Sequence, residues 1–329
     1  MNAPAKHDVD WMAQYEALGN DVALVDLGHR TQIEVGGADR ASFLHNLSTN
    51  EIRKLSAGSG CEAFLTTAQG KTLAHAFVFA TSESLVIDTV AGEAETILNH
   101  LNHYLVCERV ELADRSHEWS ELLLSGPNAK RLLEGLSDAQ LPEARLANAT
   151  GHLADRSVSL RRADLAGPGG FLISARSEDV AAVRAALERA GAVPCGNGAF
   201  EAARIEWGFP CFTHDISDNN LPQEVARDAR AISFTKGCYL GQETVARIDA
   251  LGHVNKTLVG IRFEGPSVPP LGLQLSAAGQ VVGQVTSAAY SPRLGTPLAL
   301  GYVRRGSNAP ATRLTSPAGA AEVVALPIV

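Results

Sequence analysis

Two parts of the chain repeat one order of elements, and this repeat limits the folds that the sequence can adopt. In residues 33–44 and again in residues 122–133, an apolar strand-like run leads through a glycine into an amphipathic helix. Residues 84–88 and 170–174 each begin a further strand and helix, and the two offsets, 89 and 86 residues, nearly agree. An offset shared by two pairs of elements indicates a repeated unit, so the sequence predicts two related α+β lobes.

The last part of the chain follows a different pattern. Short strand-like runs at 256–263, 279–286 and 298–303 lie between Gly and Pro turns, which is typical of a small antiparallel barrel or sandwich. A chain of 329 residues is long for one core and suits two or three domains. The predicted domains are a first α+β lobe at 1–115, completed by 200–255, a second α+β lobe at 116–199, and a C-terminal β-barrel at 256–329.

Composition excludes several classes of function. The net charge of −8 argues against broad binding to nucleic acid, because such proteins neutralise phosphates with basic patches. The five cysteines are scattered without a C-x-x-C pair, so we expect neither a disulfide framework nor a zinc site, and a reducing cytoplasm is the natural compartment. No run approaches the length of a membrane span, and the N-terminal residues lack the apolar core of a secretory signal. We therefore expect a cytoplasmic protein without a bound metal, a membrane or direct nucleic-acid contacts.

Residues 234–247, F-T-K-G-C-Y-L-G-Q-E-T-V-A-R, concentrate chemically useful side chains. Gly237 permits a tight bend or a close approach to a ligand because it has no Cβ. The apolar spacing after Gly241 predicts a helix that begins just beyond Cys238. A cysteine at a helix N-terminus, between Lys236 and Arg247, is placed where a thiolate is favoured, although a small buried cysteine is the commoner alternative.

The pattern K-G-C-Y-x-G-Q-E-x-x-A-R at residues 236–247 resembles the signature of the YgfZ family of folate-binding proteins, relatives of the glycine-cleavage T-protein, an aminomethyltransferase. A fainter resemblance extends from about residue 22 to residue 303 and includes V-T-S-A-A-Y-S-P at 285–292. The resemblance implies three lobes around a central cavity that holds tetrahydrofolate or a one-carbon derivative, with the cysteine loop at its rim.

The resemblance also implies roles for individual residues. It assigns the working thiol to Cys238, with Lys236 and Arg247 favouring its anion. Arg204 of the A-R-I-E-W-G stretch would anchor the carboxylate tail of the folate or form an ion pair between lobes; an exposed pair with Glu206 is the simpler alternative. The residues assigned to folate binding are Asn50, Arg204, Glu206, Gly237, Tyr239, Gly241 and Gln242.

The chain departs from the T-protein pattern where transferase chemistry needs acidic groups. Pro168 stands in place of the glutamate that contacts the pterin in T-proteins. Ala74 and His75 take the places of a pair of aspartates, and the catalytic aspartate falls near Glu95. The loop residues His214, Asp215 and Asp218 are a candidate site, although a solvated, turn-favouring segment is the preferred interpretation.

Three functions follow as hypotheses. The leading one is a tetrahydrofolate-binding protein that supports iron-sulfur cluster assembly or repair in client enzymes, including radical enzymes that modify tRNA, through Cys238. It implies contacts with iron-sulfur client or assembly proteins. The first alternative is a tetrahydrofolate-dependent aminomethyltransferase, which needs a working carboxylate near Glu95. The second alternative is an interaction scaffold that binds no folate.

Overall fold

The computed structural model describes residues 8–329, which form two α+β lobes and a closed barrel. The strands are β1 Ala23–Gly28, β2 Thr31–Gly36, β3 Gly60–Thr66, β4 Thr72–Ala80, β5 Leu85–Thr89, β6 Glu111–Asp114, β7 Trp119–Ser125, β8 Asn148–Leu153, β9 Arg156–Arg162, β10 Phe171–Arg176, β11 Val193–Cys195, β12 Lys256–Phe263, β13 Gln274–Ala277, β14 Gln280–Ser291, β15 Thr296–Arg304, β16 Arg313–Ser316 and β17 Gly319–Val324. The helices are α1 Asp8–Asn20, α2 Arg40–Asn46, α3 Ala94–Tyr104, α4 Ala129–Glu134, α5 Val180–Arg189, α6 Asn197–Glu206, α7 Asp228–Ala231 and α8 Gln242–Leu251, with a 3₁₀ helix at Pro222–Val225.

The strands form two open sheets and one barrel. The five-stranded sheet has the order β3-β4-β5-β2-β6, and the six-stranded sheet has the order β11-β1-β7-β10-β9-β8. The barrel closes in the order β12-β15-β14-β13-β16-β17. The predicted fold class, two related α+β lobes followed by a small antiparallel barrel, is therefore confirmed.

The first strand departs from the simplest division of the chain. β1 lies within residues 1–115, yet it pairs antiparallel with β7 and parallel with β11, in the sheet of the second lobe. β2 instead pairs with β5 and β6. The turn between β1 and β2 thus leads from one sheet to the other, because the apolar face of β1 packs with the core of the second lobe.

Each sheet buries one face under two helices at equivalent points of the repeat. In the five-stranded lobe, Phe43 of α2 and Leu101 of α3 pack with Ile33 of β2. In the six-stranded lobe, Leu133 of α4 and Leu187 of α5 pack against the six-stranded sheet. Full burial of such side chains stabilises a fold by about 1.5–3 kcal/mol each, so these faces hold the lobes together.

Helix α6 joins the lobes to the barrel. Ala203 belongs to the core on the second face of the six-stranded sheet, whereas Ile205 packs with Leu258 and Leu300 of the barrel. Side chains of α6 therefore lie at the junction of all three parts of the chain. No helix within residues 8–329 is long and apolar enough to cross a membrane.

Candidate functional site

The cysteine loop, residues 233–241, connects α7 to α8 and is fixed at both ends. At its start, Ser233 N donates to Thr49 O at 2.9 Å. At its end, Leu240 N donates to Asn46 O at 2.8 Å, and Leu240 O accepts a hydrogen bond from Thr66 Oγ1 at 2.6 Å. The loop is therefore bound to β3 and to the segment that follows α2.

The middle of the loop is open to solvent. Cys238 is exposed, and a Cβ placed on Gly237 would meet no atom within 4 Å. Phe234 at the start of the loop is 48% exposed, although it is a large apolar side chain. The helix predicted just beyond the cysteine is present as α8. The thiol of Cys238 is thus accessible to a molecule that approaches from outside.

Lys236 is bonded to the protein backbone. Its Nζ donates to the carbonyl oxygens of His45 and Ser48 at 2.6 Å and of Asn50 at 2.8 Å, and only 7% of the residue is exposed. Burial lowers the pKa of Lys236 to about 8. The three carbonyl bonds make Lys236 an anchor of the loop, which differs from its predicted role as a cation that favours the Cys238 thiolate. Arg247, the second predicted cation, is exposed on α8.

Three other predicted ligand residues shape the loop. Gly241 has a φ of +81°, and a Cβ there would lie 2.5 Å from Thr67 O, so only glycine fits this turn. Gln242 Oε1 accepts a hydrogen bond from Tyr239 N at 3.2 Å. Tyr239 is buried with Phe64 in a small apolar cluster, and burial raises its pKa to about 12. These contacts stabilise the turn into α8.

Asn50 also connects parts of the chain. Its Nδ2 donates to Glu62 O at 2.8 Å and to Arg230 O at 2.9 Å, while its Oδ1 accepts from Glu51 N at 2.8 Å. The amide therefore holds α7 against β3.

Arg204 lies at the junction between α6, the long loop at residues 207–221 and the barrel. Its guanidinium donates to both carboxylate oxygens of Glu201, to Phe209 O, to Asp215 Oδ2 at 2.8 Å and to Ser287 Oγ at 2.9 Å. These bonds use all five N–H groups of an arginine. Both ion pairs of Arg204, with Glu201 and Asp215, lie within residues 200–255, and its hydrogen bond to Ser287 reaches the barrel.

One prediction of exposure in this region, for Asp215, is wrong, and so is the alternative of an exposed pair for Glu206. Asp215, interpreted as part of a solvated segment, has a fully buried carboxylate because Arg204 compensates its charge. Glu206, assigned to folate binding with an exposed pair as the alternative, is buried: it accepts from Tyr15 Oη at 2.7 Å and from Ser291 Oγ. It thereby links α1 to the barrel.

A small central cavity lies where the lobes and α6 meet. Its volume is about 80 Å³, and its walls include Asp88, Arg204 and His75. Four aromatic side chains fill much of the space around it: Phe77, Phe200, Phe209 and Phe212.

Two buried charge networks flank the central cavity, and sequence reasoning missed both. In the first, Asp88 accepts from Arg30 Nε at 2.8 Å and from Arg161 at 2.7 Å, and Arg161 also bonds Glu121. Burial and the charge of Asp88 raise the pKa of Glu121 to about 8. This network links the two sheets.

The second network surrounds Glu62 of β3, which is fully buried. His75 Nε2 lies 2.7 Å from Glu62 Oε1, Arg227 bonds both carboxylate oxygens, and Arg145 bonds one of them. These cations hold the pKa of Glu62 well below its usual value, against the opposing effect of burial. The sequence signal that could have indicated both networks is a charged residue inside an apolar strand, namely Glu62 in C-E-A-F-L and Glu121 in S-E-L-L-L.

An outer cavity of about 250 Å³ lies on the other side of Phe209, and Phe209 lines both cavities. Its walls include Trp207, Arg227 and Arg230, together with Pro168, which the family resemblance matched to the T-protein glutamate. The carboxylate expected near the catalytic position behaves differently: Glu95 is exposed in the first turn of α3.

Comparison with known proteins identifies the family. Residues 4–236 match the GCVT N-terminal domain, and residues 256–329 match the glycine cleavage T-protein C-terminal barrel domain. The fold is that of the glycine cleavage system aminomethyltransferase T from Bartonella henselae, with a TM-score of 0.86 and 20% identity over 96% of this chain and 89% of that one.

Two curated relatives support the same assignment. An aminomethyltransferase of Thermus thermophilus is 30% identical over 90% of this chain and 84% of its own length. An aminomethyltransferase of Symbiobacterium thermophilum is 32% identical over 88% of this chain and 80% of its own length. The chain therefore belongs to the glycine cleavage T-protein family.

Proposed function

We propose that the chain is a cytoplasmic accessory protein of the YgfZ type, which binds tetrahydrofolate and supports iron-sulfur cluster assembly or repair in client enzymes. Cys238 is the working thiol, the partners are iron-sulfur client or assembly proteins, and the clients include radical enzymes that modify tRNA. The observation that carries this proposal is the exposed Cys238 on a loop that hydrogen bonds hold at both ends. A fixed, accessible thiol can react with a large partner.

The other cysteines are poorer candidates. Burial raises the pKa of both Cys61 and Cys195 to about 12, and burial also raises that of Cys211, which disfavours the reactive thiolate. Cys107 is exposed, like Cys238, but lies in the segment between α3 and β6, away from the K-G-C-Y motif. Cys107 is therefore the natural control for Cys238.

The ligand implied by the family is tetrahydrofolate, which supplies a carrier for one-carbon units when it is bound. The central cavity does not fit this ligand. Its volume of about 80 Å³ is well below the ~300–1,000 Å³ of typical small-molecule sites, and Arg204 has no N–H group left for a carboxylate.

The test replaces Cys238 by Ala and, separately, Cys107 by Ala, in cells that depend on this chain for a cluster-containing enzyme. We expect Cys238→Ala to abolish the support of client activity and Cys107→Ala to retain it, with both variants folded by circular dichroism. Full client activity with Cys238→Ala would refute the thiol proposal.

An aminomethyltransferase is the second candidate, and the activity named for the relatives favours it. Against it stand Pro168, in place of the pterin-contacting glutamate, and the exposed position of Glu95. An assay with tetrahydrofolate and a lipoyl-linked aminomethyl donor separates the two proposals. We expect no turnover above a reaction without the protein; turnover that depends on Glu95 would establish the transferase instead.

A further inference from the structure

The outer cavity has unsatisfied positive charge, in contrast to the central one. Three arginines, Arg145, Arg227 and Arg230, gather around the single carboxylate of Glu62, and two of them bond it. Arg230 is exposed on the wall of the outer cavity, and within residues 8–329 its guanidinium forms no hydrogen bond or ion pair. Burial, then the charges of Arg227 and Arg145, lower the pKa of Arg230, as expected for an arginine among like charges.

An anionic ligand would neutralise this excess of arginine charge. Among the described residues, the acid on the cavity wall is Asp164, which is already paired with Arg162 at 2.6 Å. Guanidinium groups prefer carboxylates and other oxyanions, which they bind through parallel N–H···O bonds. Arg230 has these donors available, and it lies on the cavity wall.

The same cavity offers a surface for an aromatic ring. Trp207 is half-buried on its wall, and Gly167 lets the indole lie close to the backbone: a Cβ at Gly167 would be 2.8 Å from Trp207 Nε1. Leu326 adds an apolar wall from the C-terminal segment. Past Trp207, Gly167 and Pro168, which line both spaces, a groove of about 1030 Å³ has room for the remainder of a longer ligand.

We propose that the outer cavity binds an aromatic ring that carries carboxylate groups, namely the p-aminobenzoylglutamate half of a reduced folate. Arg230 is the carboxylate ligand, and Trp207 is the surface on which the ring stacks. This inference rests on the proposed folate-binding function and moves the ligand from the central cavity to the outer one. The partly exposed carboxylate of Asp164 can accept an N–H from such a ligand, whereas a simple phosphate ion has no N–H to offer.

The experiment measures binding of 5-formyltetrahydrofolate by calorimetry and by quenching of tryptophan fluorescence. Arg230→Gln removes the free charge, and Arg305→Gln is the matched control, because Arg305 is an exposed barrel residue without a side-chain partner among the described residues. Trp207→Phe tests the stacking surface, and Trp119→Phe is its control, because Trp119 lies on β7 against Arg176 and not on the wall of the outer cavity. p-Aminobenzoylglutamate and inorganic phosphate are used as competitors.

We expect Arg230→Gln to weaken binding at least tenfold, Arg305→Gln to leave it unchanged, and Trp207→Phe to abolish the ligand-dependent quenching that Trp119→Phe retains. In the wild-type protein, p-aminobenzoylglutamate competes with 5-formyltetrahydrofolate more strongly than inorganic phosphate does. This difference between the two competitors is lost in Arg230→Gln. Tight binding that is unaffected by Arg230→Gln and Trp207→Phe would overturn the inference and leave the folate-binding function intact. Competition by phosphate alone would overturn the assignment of the carboxylate, and no binding of any folate would overturn both proposals.

Discussion

The cysteine loop and helix α6 both contain residues that the family resemblance assigns to a ligand site, yet the environments of these residues differ. Arg204 of α6 is 2% exposed and has partners in α6, the long loop and the barrel. Cys238 is exposed, and the residues around it hold the loop in place. A polar side chain whose bonds are all satisfied within the chain serves the fold, whereas one that remains accessible can serve a ligand or partner.

The arginines repeat this contrast. Arg204 uses every N–H group on the protein itself, and Arg230 uses none on the described residues. Arg204, which the family resemblance assigned to the ligand, therefore stabilises the fold. Arg230, which the resemblance did not assign, has a guanidinium that can bind a ligand. Four substitutions test how far this difference extends.

The largest effect is expected for Arg204→Met. The change leaves Asp215 as a buried carboxylate without its cation, and loss of one partner of a buried ion pair costs about 3–5 kcal/mol. Urea unfolding measures the free energy of unfolding. Arg305→Met, on the exposed surface, is the control and should change it by less than about 0.5 kcal/mol. Equal stability of both variants would show that Arg204 does not stabilise the fold, and would favour the predicted role of Arg204 in ligand binding.

Gly241→Ala should destabilise the protein by about 3 kcal/mol. The residue has a φ of +81°, and the new Cβ would lie 2.5 Å from Thr67 O. Gly237→Ala, four residues earlier in the same loop, meets open space and should be nearly neutral. If the two alanine variants have the same unfolding midpoint, the turn before α8 does not have the described conformation.

Lys236→Met should destabilise the protein by about 2 kcal/mol, because three backbone carbonyls lose their donor. The loop should also loosen, so amide exchange at Gly237 and Cys238 and alkylation of Cys238 should accelerate. Lys71→Met, which removes a lysine that bonds one carbonyl, is the control. Slower alkylation of Cys238 in Lys236→Met would restore the earlier prediction that Lys236 favours the thiolate.

The smallest effect concerns Asp228, in α7 just before the cysteine loop. Burial, then the charge of Asp249, raises the pKa of Asp228 from 3.8 to about 6. A raised carboxyl pKa adds stability below pH 3.8 that is lost as the pH rises through about 6. After allowance for partial exposure, Asp228→Asn should be about 1 kcal/mol more stable at pH 7.5.

Unfolding measured across this pH range tests the same point. The wild-type protein should lose stability between pH 3.8 and 6 relative to the Asp228→Asn variant, and the two curves should run parallel above that range. Parallel curves throughout would show that Asp228 titrates as an exposed carboxyl does.

The sequence by itself determined the elements whose signals are local. The repeated order of strand, glycine and helix predicts both lobes, the Gly and Pro turns predict the barrel, and the spacing after Gly241 predicts α8. Each signal depends on backbone preferences and apolar periodicity within a few residues, so it can be read without knowledge of the rest of the chain.

Only the tertiary structure decided the environments of the charged groups. Lys236 meets a carbonyl 191 residues away, and Arg227 meets Glu62 across 165 residues. Whether a charge is buried and paired or left free depends on such distant partners, and no local pattern specifies them. For that reason the motif located the loop with the thiol, but the free arginine of the outer cavity emerged only when the lobes and the barrel were assembled.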